Sequence, residues 1–171
     1  TPLAKAKKAV HNLLTAFTQS LPLPTLLSTF TTTPAPLIHE HGLPTLAPFL
    51  GRDFVGQDGV QEYFTLVGEL LGFEGMRFED EGGWVVGDFG GGDRVVVVVV
   101  RGWARFFAKR TGEAWWEGFV YRLGVCRDRG EGIGGEGDGE WKVQEYRVWA
   151  DTGAAYLALR GELSGLDGLG R

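Results

Sequence analysis

A chain of 171 residues, 43% hydrophobic and 23% charged, has the size and composition of one globular domain. Such a chain buries roughly 70% of the surface its unfolded form exposes, enough to fold without disulfides or metals. The net charge of −5 argues against a nucleic-acid face, and the lone Cys126 excludes an internal disulfide and a cysteine metal cluster. No segment reaches the ~18 apolar residues needed to cross a bilayer. No charged, apolar, small-residue order of a signal peptide opens the chain, so a cytoplasmic location and no membrane partner are expected.

In chain order, Leu3 to Leu21 is predicted to be helical, because Val10, Leu14, Phe17 and Leu21 recur on one helix face. Lys5, Lys7 and Lys8 read as the solvated side of that helix. Pro22 and Pro24 stop it. Thr25 to Thr33 is a candidate second helix, and Leu37 to Glu40 a short strand. A turn-rich stretch from Gly42 to Gly56 follows, long enough to shape a site. Asp58 is a suitable N-cap for a helix to Leu71 whose apolar face is Val60, Phe64, Val67 and Leu71, with Gly72 as its C-terminal stop.

Beyond Gly72 the pattern is β. Gly75 to Glu79 and Trp84 to Val86 are short strands, and Gly87 to Gly92 is a turn. Arg94 to Lys109, Glu113 to Arg127 and Trp141 to Ala150 are long strands. Asp128 to Glu140 forms a Gly-rich, solvated, mobile hairpin loop between the last two. Asp151 or Thr152 caps a closing helix from Gly153 to about Leu163. Helices, then antiparallel strands, then a helix make an α+β domain rather than an alternating one.

Two segments resemble the NTF2-like superfamily in its SnoaL-like branch. One is PFLGRDFVGQDGVQEYF (Pro48 to Phe64), where a Gly-bearing loop leads into a helix. The other is EWKVQEYRVWADTGAAYLA (Glu140 to Ala158), which resembles the family's final strand, ending on an Asp. HEHGLPTLAPFLGR and VWADTGAAYLA are also similar to fungal SnoaL-like proteins. The resemblance spans Leu3 to Leu163. It implies a cone in which a curved antiparallel sheet packs against the N-terminal helices, with a short C-terminal helix, around an apolar pocket. It further implies pairing of two copies through their sheets. This fold hosts isomerases, cyclases, dehydratases and non-catalytic binding modules, so function has to be argued from the site.

Within such a cone, alternation along each strand selects the lining. Tyr146, Val148 and Ala150 share one face of the last strand and Glu145, Arg147 and Trp149 the other. On the preceding strand, Trp115, Glu117, Phe119 and Tyr121 alternate with Trp116, Gly118, Val120 and Arg122. Glu117 then either enters the pocket, where burial would raise its pKa, or pairs with Arg101 or Arg105 across the sheet. The candidate catalytic groups are His41, Glu117 and Tyr146. The candidate ligand contacts are Phe17, Tyr63, Trp103, Trp116, Phe119, Tyr121 and Val148. Asp151 is a helix cap first and a base second. His39 and His41 flank Glu40, but neighbouring strand residues point to opposite sides, so no metal site is expected there. The functional expectation is cofactor-independent acid–base chemistry, of isomerase, cyclase or dehydratase type, on a small apolar or aromatic molecule. The alternative is a non-catalytic ligand-binding or dimeric interaction module on the same fold.

Overall fold

The computed structural model describes residues 1–90, 94–130 and 139–166. Two helices open it, α1 (Pro2–Thr18) and α2 (Leu23–Ser28). The strands β1 (Leu37–Glu40) and β2 (Asp53–Val55) lead into α3 (Gly56–Leu70). Then come β3 (Leu71–Phe78), a 3-10 turn (Glu81–Gly83), β4 (Val85–Asp88), β5 (Val96–Ala108), β6 (Ala114–Arg127), β7 (Trp141–Trp149) and α4 (Thr152–Arg160). The architecture is α+β, with helices packed against one curved sheet.

The sheet runs β2-β1-β7-β6-β5-β3, with β4 also pairing β5. All but one of these pairings are antiparallel. The exception is β1, which lies parallel to β7, with Ile38 opposite Tyr146 and Glu40 opposite Val148. The sheet is therefore mixed, not purely antiparallel as the strand order suggests. The reason is topological: β1 comes from the first quarter of the chain and is inserted beside the last strand, a pairing that local alternation cannot reveal.

Several boundaries differ from the periodicity for physical reasons. Val55, not Asp58, stands at the N-cap of α3, without a side-chain cap; Asp58 lies in the first turn, where its charge favours the helix dipole. Gly72 does not stop α3. The helix passes directly into β3, and Gly72 sits where the Phe107 ring comes so close that a Cβ would lie 2.2 Å from it. Strand β2 lies inside the stretch read as a loop; its three residues are too few to show a period.

The core lies between the helices and the inner sheet face. Val96, Val98 and Val100 are fully buried on β5, as are Val10 and Leu13 on α1. Val143 and Tyr146, three apart on β7, are both buried because the register shifts opposite Gly124/Val125 and leaves Gln144 without a cross-strand partner. That bulge adds local twist. Gly102 on β5 lets the Phe119 ring lie across it; a Cβ there would meet the ring at 2.5 Å.

The glycine-rich loop expected at Asp128 to Glu140 falls largely on residues 131–138, outside the described residues, as do 91–93 of the turn before β5. The loop's first residue is not solvated. Asp128 is buried and accepts hydrogen bonds from the backbone N–H groups of Thr32 (2.9 Å), Thr33 (3.0 Å) and Gly130 (3.3 Å). Lys142 Nζ stands 3.2 Å from its other oxygen. Burial alone would raise the Asp128 pKa, but the combined donors from Thr33, Thr32, Gly130 and Lys142 hold it below the usual carboxylate range. The carboxylate thus ties the end of β6 to the segment before β1. Asp128→Ala leaves these donors unsatisfied and is expected to lower stability by about 2–4 kcal/mol in urea denaturation.

Candidate functional site

Between α1, α3, α4 and the inner sheet face lies a cavity of about 100 Å³. Water occupies ~30 Å³ per molecule in the liquid, and a cavity of ~150 Å³ can accommodate benzene, so this space suits a single-ring compound that also reaches toward the mouth. Its wall is aromatic and aliphatic apart from Glu40, Glu117, Asp151 and Thr152. Phe17 comes from α1, Tyr63 and Phe64 from α3, and Phe49 and Leu50 from the loop before β2. The sheet supplies Phe106, Trp115, Phe119, Tyr121, Tyr146 and Val148. Ala150, Asp151, Thr152 and Ala155 bring the start of α4 to the rim.

Of the lining named from sequence, Phe17, Tyr63, Phe119, Tyr121 and Val148 are in this wall, as are Glu117 and Tyr146. Trp103, Trp116 and His41 are not. Alternation places Trp103 and Trp116 on the outer face of the sheet, where Trp116 is 67% exposed and Trp103 lies near the guanidinium groups of Arg77 and Arg101. His41 follows β1 on the solvent side, its ring 6.5 Å from that of Trp149. His39 pairs with Asp53 at 2.7 Å, and His11 with Glu81 at 2.8 Å. Among the described residues no group of three or more His, Cys, Asp or Glu is placed to hold a metal ion, and no helix is long and apolar enough to cross a membrane.

The residue that sequence reasoning passed over is Glu40. Its sequence context, between His39 and His41, suggests at most a metal ligand. Strand alternation turns His39 outward, and the same alternation turns Ile38 and Glu40 inward. The signal was present in the pattern, but nothing local says which face of so short a strand is buried. Glu40 lies deep in the cavity wall, only 8% exposed, and Tyr63 Oη donates to its Oε2 at 2.5 Å. No further hydrogen bond to this carboxyl is present among the described residues. Burial pushes its pKa up to about 7; the Tyr63 hydrogen bond pulls the other way, and the nearby Glu117 adds repulsion.

Glu117 is half-buried nearer the mouth and has no cationic partner among the described residues. Arg105 pairs with Glu74 and Arg101 with Glu79 instead. Trp115 Nε1 donates to Glu117 Oε1 at 3.0 Å, and the Asp151 N–H donates to Oε2 at 2.6 Å. Burial raises the Glu117 pKa, with these two donors opposing and the Asp151 charge adding to the rise. Asp151 in turn caps α4, its Oδ1 accepting from the Ala154 N–H at 2.9 Å. Deeper in, the Tyr121 and Tyr146 rings are 4.8 Å apart. Burial pushes both phenols, and that of Tyr63, up, so all three stay protonated at neutral pH.

A curved sheet wrapped by helices around such a hollow is the NTF2-like cone fold. The chain aligns with a ketosteroid isomerase-like protein from Erwinia carotovora atroseptica at TM-score 0.66 and 20% identity, over 87% of this chain and 95% of that one. It aligns with an NTF2-like protein from Burkholderia xenovorans at TM-score 0.57 and 16% identity, over 91% and 96%. With a candidate SnoaL-like polyketide cyclase from Mesorhizobium loti the TM-score is 0.51 and the identity 15%, over 87% and 98%. At these identities the likeness is one of fold. No protein-family profile matches the sequence, and no curated protein matches it.

The buried carboxyl makes stability depend on pH. Folded Glu40 holds its proton to about pH 7, whereas the unfolded chain releases it near 4.5, so the folded state binds more protons between those values. The contribution is complete below about pH 4.5 and is lost as pH rises through 7. The difference between 4.5 and about 7 corresponds to roughly 3 kcal/mol. Urea denaturation between pH 4.5 and 8 should show this decline for the native chain, and a curve flatter by about that amount for Glu40→Gln.

Proposed function

We propose that the cavity binds a small, mostly apolar organic molecule and moves a proton on it without a cofactor, as an isomerase, cyclase or dehydratase does. The observation that supports this reading is a pair of carboxyl groups in one aromatic cavity, held by different kinds of partner. Glu117 accepts from two groups that can only donate, an indole N–H and a backbone N–H. Such partners favour its charged form and suit it to act as a general base near the mouth. Glu40 is held by a phenol, which can accept as well as donate. With a pKa of about 7 it carries its proton in about half of the molecules at neutral pH. It is the proton donor of the pair.

In this scheme Glu117 removes a proton from an acidic C–H, and Glu40 delivers one to the oxygen or carbon where negative charge collects. Tyr121 and Tyr146, protonated and adjacent, orient polar atoms of the ligand. The apolar wall excludes water and keeps the carboxyl pKa values high enough for proton transfer near neutrality. The test is exchange of α-hydrogens with D2O, followed by NMR, across a panel of single-ring ketones. The native chain should accelerate exchange for at least one compound. Glu117→Gln should lower that rate by about 10²–10⁴-fold. Equal rates in the native chain and the Glu117→Gln variant would remove Glu117 from the chemistry.

A second feature supports pairing of two copies through the outer sheet face. Trp116 and Trp149 are 67% and 42% exposed there, beside Val120 and the Arg122 and Arg147 side chains that share Glu145. Trp116 stands opposite Arg105 and Trp149 opposite Val120, so one outer face leaves two indoles in water. Sedimentation velocity should show a dimer for the native chain, and a monomer when Trp116→Glu and Trp149→Glu are combined.

A further inference from the structure

The charges around the cavity say more about what it holds. Among the described residues, the wall and rim contain three carboxyl groups, Glu40, Glu117 and Asp151, and no Lys, Arg or His side chain. Most other lining groups are aromatic or aliphatic. The cationic side chains of the adjacent strands are engaged elsewhere: Arg105 with Glu74, Arg101 with Glu79, and Arg122 and Arg147 with Glu145. Glu40, more than nine-tenths buried, offers its Oε1 to the cavity without a protein donor among the described residues, while Oε2 takes the Tyr63 hydroxyl. The cavity therefore has negative potential, aromatic surfaces and a carboxyl oxygen lacking a counter-ion.

Each class of ligand meets this environment differently. An anionic ligand would bring a further charge beside Glu117 and Asp151 with no cation to balance it, a like-charge arrangement that disfavours binding. A neutral ligand would leave the carboxyl repulsion as it is. A protonated amine would supply the missing counter-ion to Glu40 or Glu117, and its charge would be further stabilised by the aromatic wall. From this juxtaposition of aromatic lining, unpaired buried carboxyl and absent cationic side chains, we infer that the cavity is selective for single-ring ligands bearing a basic nitrogen. The inference rests on the reading of the cavity as a small-molecule site, and it specifies the ligand's charge.

Three near-isosteric probes separate the possibilities: 2-phenylethylamine as the cation, 2-phenylethanol as the neutral compound and phenylacetate as the anion. Each is titrated calorimetrically into the full chain at pH 8, where Glu40 is largely ionised and the amine remains protonated. The amine should bind about tenfold or more tightly than the alcohol, as expected for a desolvated cation–π and ion-pair contact. Phenylacetate should bind more weakly than both. In Glu40→Gln and, separately, Glu117→Gln, the amine-to-alcohol affinity ratio should fall toward one; circular dichroism confirms that each variant is folded. Alcohol binding as tight as amine binding, or a ratio unchanged in both variants, overturns the inference while leaving the cavity reading intact. Absence of binding by all three probes overturns both.

Discussion

A carboxyl group taken out of water must find a cation, find hydrogen-bond donors or keep its proton, and Glu40 meets this constraint in the third way. Its side chain leaves β1 toward the apolar interior, with Ile38 on the same strand and Val148 and Tyr146 on the adjoining one. Among the described residues no cationic side chain lines that space. One phenolic donor is too little to offset the loss of hydration, so the neutral form remains competitive at neutral pH. The surrounding parts depend on this placement. Helix α3 must run where Tyr63 can reach the carboxyl, and the loop before β2 must bring Phe49 and Leu50 inward to keep water away from it.

The second carboxyl belongs to a different kind of arrangement. Glu117 is tied to the start of α4 through the Asp151 N–H, while the Asp151 side chain caps the same helix. Ala155 and Ala158 are the buried residues of α4, so its apolar anchoring is small. Polar contacts supplement it at the C-terminal end as well: Thr111 donates to the Ala158 carbonyl, Arg110 to that of Leu159, and Glu113 accepts from Leu163 and Ser164. The helix that forms the rim of the cavity is therefore positioned by hydrogen bonds, one of which ends on the residue read as the base. Geometry at the mouth and the state of Glu117 are physically linked.

The two sheet faces carry different chemistry because alternation separates them. Tyr121, Tyr146 and Phe119 crowd inward at ring distances of 4.8–5.0 Å from Tyr121, whereas Trp116, Arg122, Arg147 and Trp149 point outward. Residue type alone does not make this division. Trp115 and Trp116 are neighbours of identical chemistry, one in the cavity wall and the other on the outer surface. Trp103 and Trp116, candidate ligand contacts by residue type, are assigned to the outside by strand parity.

Local order was legible in the sequence. The helical spacing of Val10, Leu14 and Phe17, the valine run of β5, the alternation of β6 and β7 and the Asp151 cap each depend on residues a few positions apart. The same alternation set Glu117, Phe119 and Tyr121 on one face and Arg122 on the other. What only the tertiary structure decided was the neighbourhood of β1. Four residues carry too few apolar groups to declare a buried face, and their partner in β7 lies about a hundred residues away. Pairing at that distance is governed by how the whole sheet closes and by which surfaces the helices cover, not by any local pattern. For that reason local pattern favours His41 over Glu40, whereas the folded chain puts Glu40 in the cavity wall and His41 at the surface.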